Sequence, residues 1–438
     1  MSAESLADAL VDAYLTSPEI AAQRATIRVA GEAAAQARAG GRVNVTGQVD
    51  IELQTNASSD DAFTIPNSLN LTIVQPLYTG GQVENATTAA ERRISGAESD
   101  LVDVERDILF NAASAFLDVR RDISLVRVAR NNVKVLSNQL DAANERFEVG
   151  EVTRTDVEQA RARLAAARST LAANQGALEN SRDAFRRAVG RDPGKLAPPP
   201  PVPDLPKSED EAVAIALQND PTLRAARIER EAAGFDVKAA IGSLLPQVDL
   251  RGEVNQSNTV FDEFDETRNA SVGLRVTIPF YSGGANYAAV RQAQAAADNA
   301  AADILTQARD VKQAVGLAWA NLRVARAQIR AGQLEVKAAQ LAFEGVEEEA
   351  KVGARTTLDV LDAEQEVLDA RAGLITSQRD EYVAAYQLLQ AMGLLTVEHL
   401  GLDTGNAPTE ADYYETVRNR YFGYDQSDDT VWSLDWRP

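Results

Sequence analysis

The chain repeats its punctuation at a fixed distance. Asp156-Val157 recurs as Asp359-Val360, 203 positions on, and the same offset relates Pro18 to Pro221, Pro76 to Pro279, Gly80-Gly81 to Gly283-Gly284, Val149-Gly150 to Val352-Gly353 and Gly190 to Gly393. No gap has to be opened, and turn and breaker residues dominate the matches. Two copies of one supersecondary layout explain this better than two unrelated domains do. A functional site is then expected where the copies meet.

Each copy opens with helix. Residues 4–38 read as helical with a restart at Ser17-Pro18-Glu19, where a Ser N-cap precedes Pro at the first helical position; Asp220-Pro221 repeats the device. Strict alternation follows: Val43, Val45, Val49, Ile51 and Leu53 against Asn44, Thr46, Gln48, Asp50 and Glu52. After a polar loop, Thr55 to Asn67, Leu69, Leu71, Ile73 and Leu77 lie on one face and Asn70 and Thr72 on the other. Copy two gives Val248, Leu250 and Val254 against Asp249, Arg251, Glu253 and Asn255, then Val272, Leu274, Val276, Ile278 and Phe280 against Arg275 and Thr277. Period two means strands with two chemically opposite faces. Half-buried hairpins on a soluble core would alternate in this way. So would membrane strands, which need about 9 to 11 residues with aromatics near their ends. The formal charges on the polar faces, and Phe63, Tyr78, Phe264, Phe280 and Tyr281 near the strand ends, point to the membrane.

After each double glycine comes a helical stretch, Gln82 to about Phe147 and Ala285 to about Ala350, long enough to approach roughly 100 Å at the usual helical rise. Leu101, Val104, Ile108, Ala112, Ala115, Val119, Ile123 and Val126, then Val133, Leu136, Leu140, Ala143 and Phe147, keep the spacing of a coiled-coil seam. Val149-Gly150 turns the chain back into a helix bearing Val157, Ala160, Leu164, Ala167 and Leu171 on one face. The sequence therefore divides into repeat 1 (1–197: hairpin 42–78, helices 82–147 and 155–190), a Pro-rich linker (198–207), repeat 2 (208–395: hairpin 247–281, helices 285–350 and 357–392) and an acidic, aromatic tail (396–438). The tail carries Tyr413, Tyr414, Tyr421, Phe422, Tyr424, Trp432 and Trp436 and receives no place in the fold.

Composition narrows the function. A formal charge of −21 disfavours nucleic acid and anionic lipid and suits cationic partners or cargo. With no cysteine and one histidine, His399, to which no role is given, thiol chemistry, disulfides, zinc sites and a histidine-based triad drop out. No catalytic residue, metal or cofactor is expected. No run of about 18 apolar residues is present. The start lacks a signal peptide, which together with the strands suggests a mature, exported chain. Four strands cannot close a polar-lined barrel, so a pore requires oligomerisation, and three copies would supply twelve.

The duplicated plan, with Ser17-Pro18-Glu19-Ile20, Gln75-Pro76-Leu77-Tyr78-Thr79-Gly80-Gly81, Phe147-Glu148-Val149-Gly150 and Val352-Gly353-Ala354-Arg355-Thr356-Thr357-Leu358-Asp359-Val360-Leu361-Asp362, resembles the TolC family of outer-membrane channel-tunnels over about residues 1–395. The resemblance implies a mainly α fold with a membrane β-barrel: a homotrimer whose twelve-stranded outer-membrane barrel continues as a periplasmic α-helical coiled-coil barrel. It implies location in the outer membrane of a Gram-negative bacterium, extending into the periplasm. It also implies a passive duct that works with a periplasmic adaptor (membrane fusion) protein and an inner-membrane ABC or RND transporter. Arg154-Thr155-Asp156 and the tail look more like the type I protein-secretion branch than the multidrug branch.

Asp359 and Asp362, three apart, share a helix face. Acidic residues in a first turn complement the helix dipole; in the family the motif lines the periplasmic entrance, where a trimer would stack the pair as cation-attracting rings. The resemblance further implies a closed-state latch from Arg355 to Thr155 and Asp156 of the adjacent hairpin, and adaptor-docking tips at Val149-Gly150 and Val352-Gly353. Ala350 departs from the family, which has an aromatic there. Two other classes of function compete. A coiled-coil scaffold leaves the amphipathic strands without a purpose. An enzyme using Asp359 and Asp362 as acid and base lacks a pocket-forming motif.

Overall fold

The breaker residues that recur in the sequence fall at element ends in space. A computed structural model describes residues 3–53, 65–260, 267–405 and 413–423. In copy one the elements are α1 (Leu6–Thr16), α2 (Pro18–Ala39), β1 (Asn44–Ile51), β2 (Ile65–Tyr78), α3 (Gln82–Glu148) and α4 (Arg154–Val189); in copy two, α5 (Glu209–Asn219), α6 (Pro221–Gly242), β3 (Gln247–Val260), β4 (Thr267–Thr277), α7 (Ala285–Lys351) and α8 (Thr357–Ala391). A short α9 (Tyr413–Val417) follows. Phe63, Phe264, Tyr424, Trp432 and Trp436 lie outside the described residues.

The helix starts are chemically defined. Thr153 and Thr356 each cap the following helix, and Asp156 and Asp359 return the bond to the cap's own amide, closing reciprocal capping boxes. At the α3 end, Gly150 N donates to Phe147 O and Glu151 N to Arg146 O; at the α7 end, Gly353 N donates to Ala350 O and Ala354 N to Glu349 O. This is the paired bonding that ends a helix on a left-handed residue, and Gly150 (φ 81°) and Gly353 (φ 77°) supply it.

The chain packs as two compact units. The first comprises 1–22, 101–223 and 307–408. Its buried side chains include Leu6 and Leu10 of α1, Leu109, Phe116 and Val119 of α3, Phe185 of α4, and Leu388 and Leu389 of α8. Asp220, 4% exposed, accepts from the Leu223 amide (2.9 Å) and the Thr222 hydroxyl (2.6 Å), capping α6, and from Arg106 Nη1 (2.7 Å). Burial works to raise its pKa, but the Thr222, Leu223 and Arg106 bonds prevail and hold it below the usual carboxylate value. The seam on α3 is wider than its heptads suggest: Leu109, Ala113, Phe116 and Leu117 are buried beside Ala112 and Val119, because this part of the helix is packed on several sides. Phe147 is exposed rather than seated in the seam, since the helix ends one residue later.

The second unit comprises 23–100, 224–306 and 409–438. It holds one four-stranded antiparallel sheet in the order β1-β2-β3-β4. β2 begins at Ile65, inside the stretch expected to be loop, because Ile65 and Pro66 pair with Val260 and Thr259. The alternation in β2 also breaks: the register shifts between Pro76 and Tyr78, so Tyr78 joins the row of Val248 and Leu77 becomes the extra residue of a bulge. β4 stops at Thr277, short of Ile278 and Phe280. Pro279, without an amide hydrogen, cannot extend the ladder.

The tail finds a place here. Tyr413 donates to Glu32 Oε1 (2.9 Å) on α2 and Tyr414 to Glu91 Oε1 (2.7 Å) on α3. Arg42, just before β1, bonds the Arg418 and Arg420 carbonyls and stacks over the Tyr421 ring (4.5 Å to centroid). Residues 413–423 thus strap α2 to α3.

Candidate functional site

In the sheet, the register aligns like with like. One face carries the rows Val45-Ile73-Gly252-Val272 and Gly47-Leu71-Val254-Ala270. The other carries Gln48-Asn70-Asn255-Asn269 and Thr46-Thr72-Glu253-Ser271. Exposure runs opposite to that of a soluble hairpin. Along β2, Leu69, Leu71 and Ile73 are exposed while Ser68, Asn70, Thr72 and Val74 are half-buried. Val49 (66%), Val272 (81%) and Leu274 (66%) stand open. Leaving such side chains in water forgoes roughly 1.5–3 kcal/mol each relative to burial. Ten or more on one contiguous face require an apolar surround, and the amide and carboxylate rows require a wet one. Phe280 and Tyr281, just past β4, are exposed in the manner of interfacial aromatics. β1 and β4 each pair with one strand only among the described residues, leaving edges that a barrel would close with further copies.

At the hairpin tips of the first unit, the paired acids have separate tasks. Asp359 Oδ2 accepts from the Thr356 amide and hydroxyl (both 2.9 Å). These two bonds, led by the amide, hold its pKa below the usual carboxylate range, with a smaller contribution from Arg355. It therefore caps the helix and keeps its charge, so the two roles considered for it are compatible. Asp362 does not stand free: it is paired with Arg163 of α4. Two stacked rings of equal strength do not follow from this arrangement, because Arg163 neutralises the deeper carboxylate.

Arg355 binds Glu349 of its own hairpin (2.8 Å), not Thr155 or Asp156. Asp156 Oδ2 is engaged by the Thr153 amide (2.8 Å) and hydroxyl (2.7 Å). The expected latch is thus not formed within one chain, for both partners have nearer ones on their own elements. Val149 and Val352 are exposed at the tips beside Gly150 and Gly353, and Ala350 serves as a carbonyl acceptor in the α7 terminus. Sequence reasoning missed Arg163. A signal was available: 203 positions on stands Glu366, so the two copies differ there by a reversal of charge. Among the described residues no cluster of His, Asp and Glu is arranged to hold a metal ion.

Comparison with known proteins agrees with this geometry. The pattern of the outer membrane efflux protein family matches residues 9–191 and again 212–394. The outer membrane efflux protein BepC of Brucella suis biovar 1 is 33% identical over 421 residues, covering 96% of this chain and 92% of that protein. The outer membrane protein TolC of Vibrio cholerae is 27% identical over 409 residues, 90% of this chain and 92% of that protein. Among solved structures, CusC superposes with a TM-score of 0.78 at 19% identity, over 89% of this chain and 92% of that one. A duplicated chain with an exposed apolar sheet face, matched twice by one family pattern, belongs to the outer membrane efflux protein family of channel-tunnels, which lie in the outer membrane and extend into the periplasm.

Proposed function

We propose that this chain, as a homotrimer, is the exit duct of an export assembly, docking through its hairpin tips to a periplasmic adaptor fed by an inner-membrane ABC or RND transporter, with secreted protein as the cargo and no catalysis of its own. The observation that carries the duct is the sheet with an exposed, mainly apolar face backed by a mainly polar one and with two edges that are unpaired among the described residues. Three such sheets give twelve strands, enough for a wet lumen. Asp359, charged at the tip, favours cations at the entrance. Support for protein cargo comes from relatives such as the alkaline protease secretion protein AprF of Pseudomonas aeruginosa, 24% identical over 351 residues. A second reading, small-molecule efflux, is supported by the name of BepC and by the cobalt-zinc-cadmium resistance protein CzcC of Cupriavidus metallidurans, 24% identical over 390 residues.

The test has two arms. Purified trimer in a planar bilayer should give discrete, cation-selective steps, and a protein that stays soluble without detergent and opens no channel would refute the duct. A deletion strain should lose one or more extracellular proteins while keeping its drug and metal tolerance. The converse result would replace the cargo with small molecules and leave the duct standing.

A further inference from the structure

Above the hairpin tips, α3, α4 and α8 line a partly open cleft of about 120 Å³. Its floor is apolar, made by Leu136, Ala167 and Leu361 of one packed cluster. Two features of its lining are not used by the fold. Asn132 is 8% exposed, and its Oδ1 is buried without a hydrogen-bond partner among the described residues. An acceptor enclosed without a donor is costly, so this position calls for one. Glu364 is half-buried and accepts from Gln139 Nε2 (2.7 Å), a neutral amide. Burial, with a smaller contribution from the Glu347 carboxylate, raises its pKa above the usual value against the opposing Gln139 bond. Arg163, the one cation lining the cleft among the described residues, is committed to Asp362, while Asp369 adds a second negative charge.

An unfilled acceptor, an undercompensated carboxylate and an apolar floor together select a ligand that donates hydrogen bonds, carries positive charge and has a hydrocarbon part. We propose that this cleft binds an amphiphilic organic cation, an alkylammonium with Asn132 and Glu364 as its acceptors and its chain along Leu136 and Leu368. α3 and α4 form one hairpin and α8 belongs to the other, so an occupant ties hairpin to hairpin. The site is independent of the cargo reading.

The experiment titrates n-hexylammonium into full-length trimer in lipid nanodiscs by calorimetry, with hexanol and hexanoate as neutral and anionic counterparts. Saturable binding of the ammonium alone is the expected result. Glu364→Gln should weaken it about tenfold, the scale of one charge-assisted bond, and Asn132→Leu should weaken it comparably. Asn132→Asp, which adds a carboxylate to the same wall, should tighten it. Each variant is first checked for heat-resistant trimer, and if Glu364→Gln fails to assemble, the Asn132→Asp gain carries the test. Hexanol binding as well as hexylammonium would reduce the cleft to an apolar crevice. Unsaturable binding, or affinity indifferent to Glu364 and Asn132, would reduce it to a water-filled gap. Either result overturns the proposal.

Discussion

Removing Arg163 should make the channel entrance more cation-selective, not less stable. Arg163 and Asp362 are each about half exposed, so the pair contributes only about 0.2–1 kcal/mol to stability, and Arg163→Ala should leave the trimer's melting temperature nearly unchanged. The electrostatic effect at the mouth sums over the trimer, because three carboxylates are released together. A monovalent cation about 8 Å from each gains roughly 0.5 kcal/mol per charge in water before screening. With a Debye length of about 10 Å at 0.1 M salt, roughly half of that survives, which over three subunits enriches cations at the mouth about threefold. At 1 M the screening length is about 3 Å and the enrichment should nearly vanish. The assay is reversal potential across a bilayer with a salt gradient, for wild type, Arg163→Ala, Asp362→Ala and the double variant. Arg163→Ala should shift selectivity toward cations at low salt, and the double variant should return to the wild-type value. An Arg163→Ala channel whose low-salt selectivity equals wild type would refute the reasoning, because Asp362 would then not face the permeating ions.

Asp220→Ala should cost about 3–5 kcal/mol, the cost of stripping one partner from a buried ion pair, whereas Asp220→Asn keeps an acceptor for the Leu223 amide and should lose less. Since the folded pKa of Asp220 is depressed, its contribution is complete above the ordinary carboxylate value and is lost as pH falls through the depressed one. Melting curves by circular dichroism should show the gap between wild type and Asp220→Asn closing in acid, and a constant gap would contradict this. Gly80 and Gly283 both have positive φ, and an alanine at either costs about 1–2 kcal/mol, but only at Gly80 would the new Cβ lie 2.5 Å from the Gly242 carbonyl oxygen. Gly80→Ala should therefore reduce the yield of heat-stable trimer more than Gly283→Ala, and equal losses would mean that a neighbouring copy covers Gly283. Arg42→Ala should free the 413–423 strap, seen by mass spectrometry as faster tryptic cleavage after Arg418 and Arg420. Unchanged cleavage would show that the two tyrosines hold it alone.

The sequence by itself determined the class of fold, because its two signals are local. Alternation in Val43–Leu53 and Val272–Val276 reports directly on two strand faces, and glycines such as Gly150 and Gly353 stand where only positive φ ends the helix. Neither needs knowledge of distant neighbours. Where the reading failed, contacts across long sequence separations decided the outcome. The Leu77 bulge arises from how β2 meets β3: Pro76, which cannot donate to the ladder, marks the region, but the pairing with β3 decides which residue is extruded. Within one chain Arg355 pairs with Glu349 and Asp156 with Thr153, local partners that the resemblance to a latch between hairpins does not reveal. Arg163 meets Asp362 only because α4 packs against α8, and the tail acquires its place only when Glu32, Glu91 and the Arg42 guanidinium converge from α2, α3 and the approach to β1. Periodicity and backbone stereochemistry are properties of a short stretch of chain and can be read from it. Which charge neutralises which is settled by packing, for the energy of an ion pair depends on distance and burial, and only the tertiary structure fixes either.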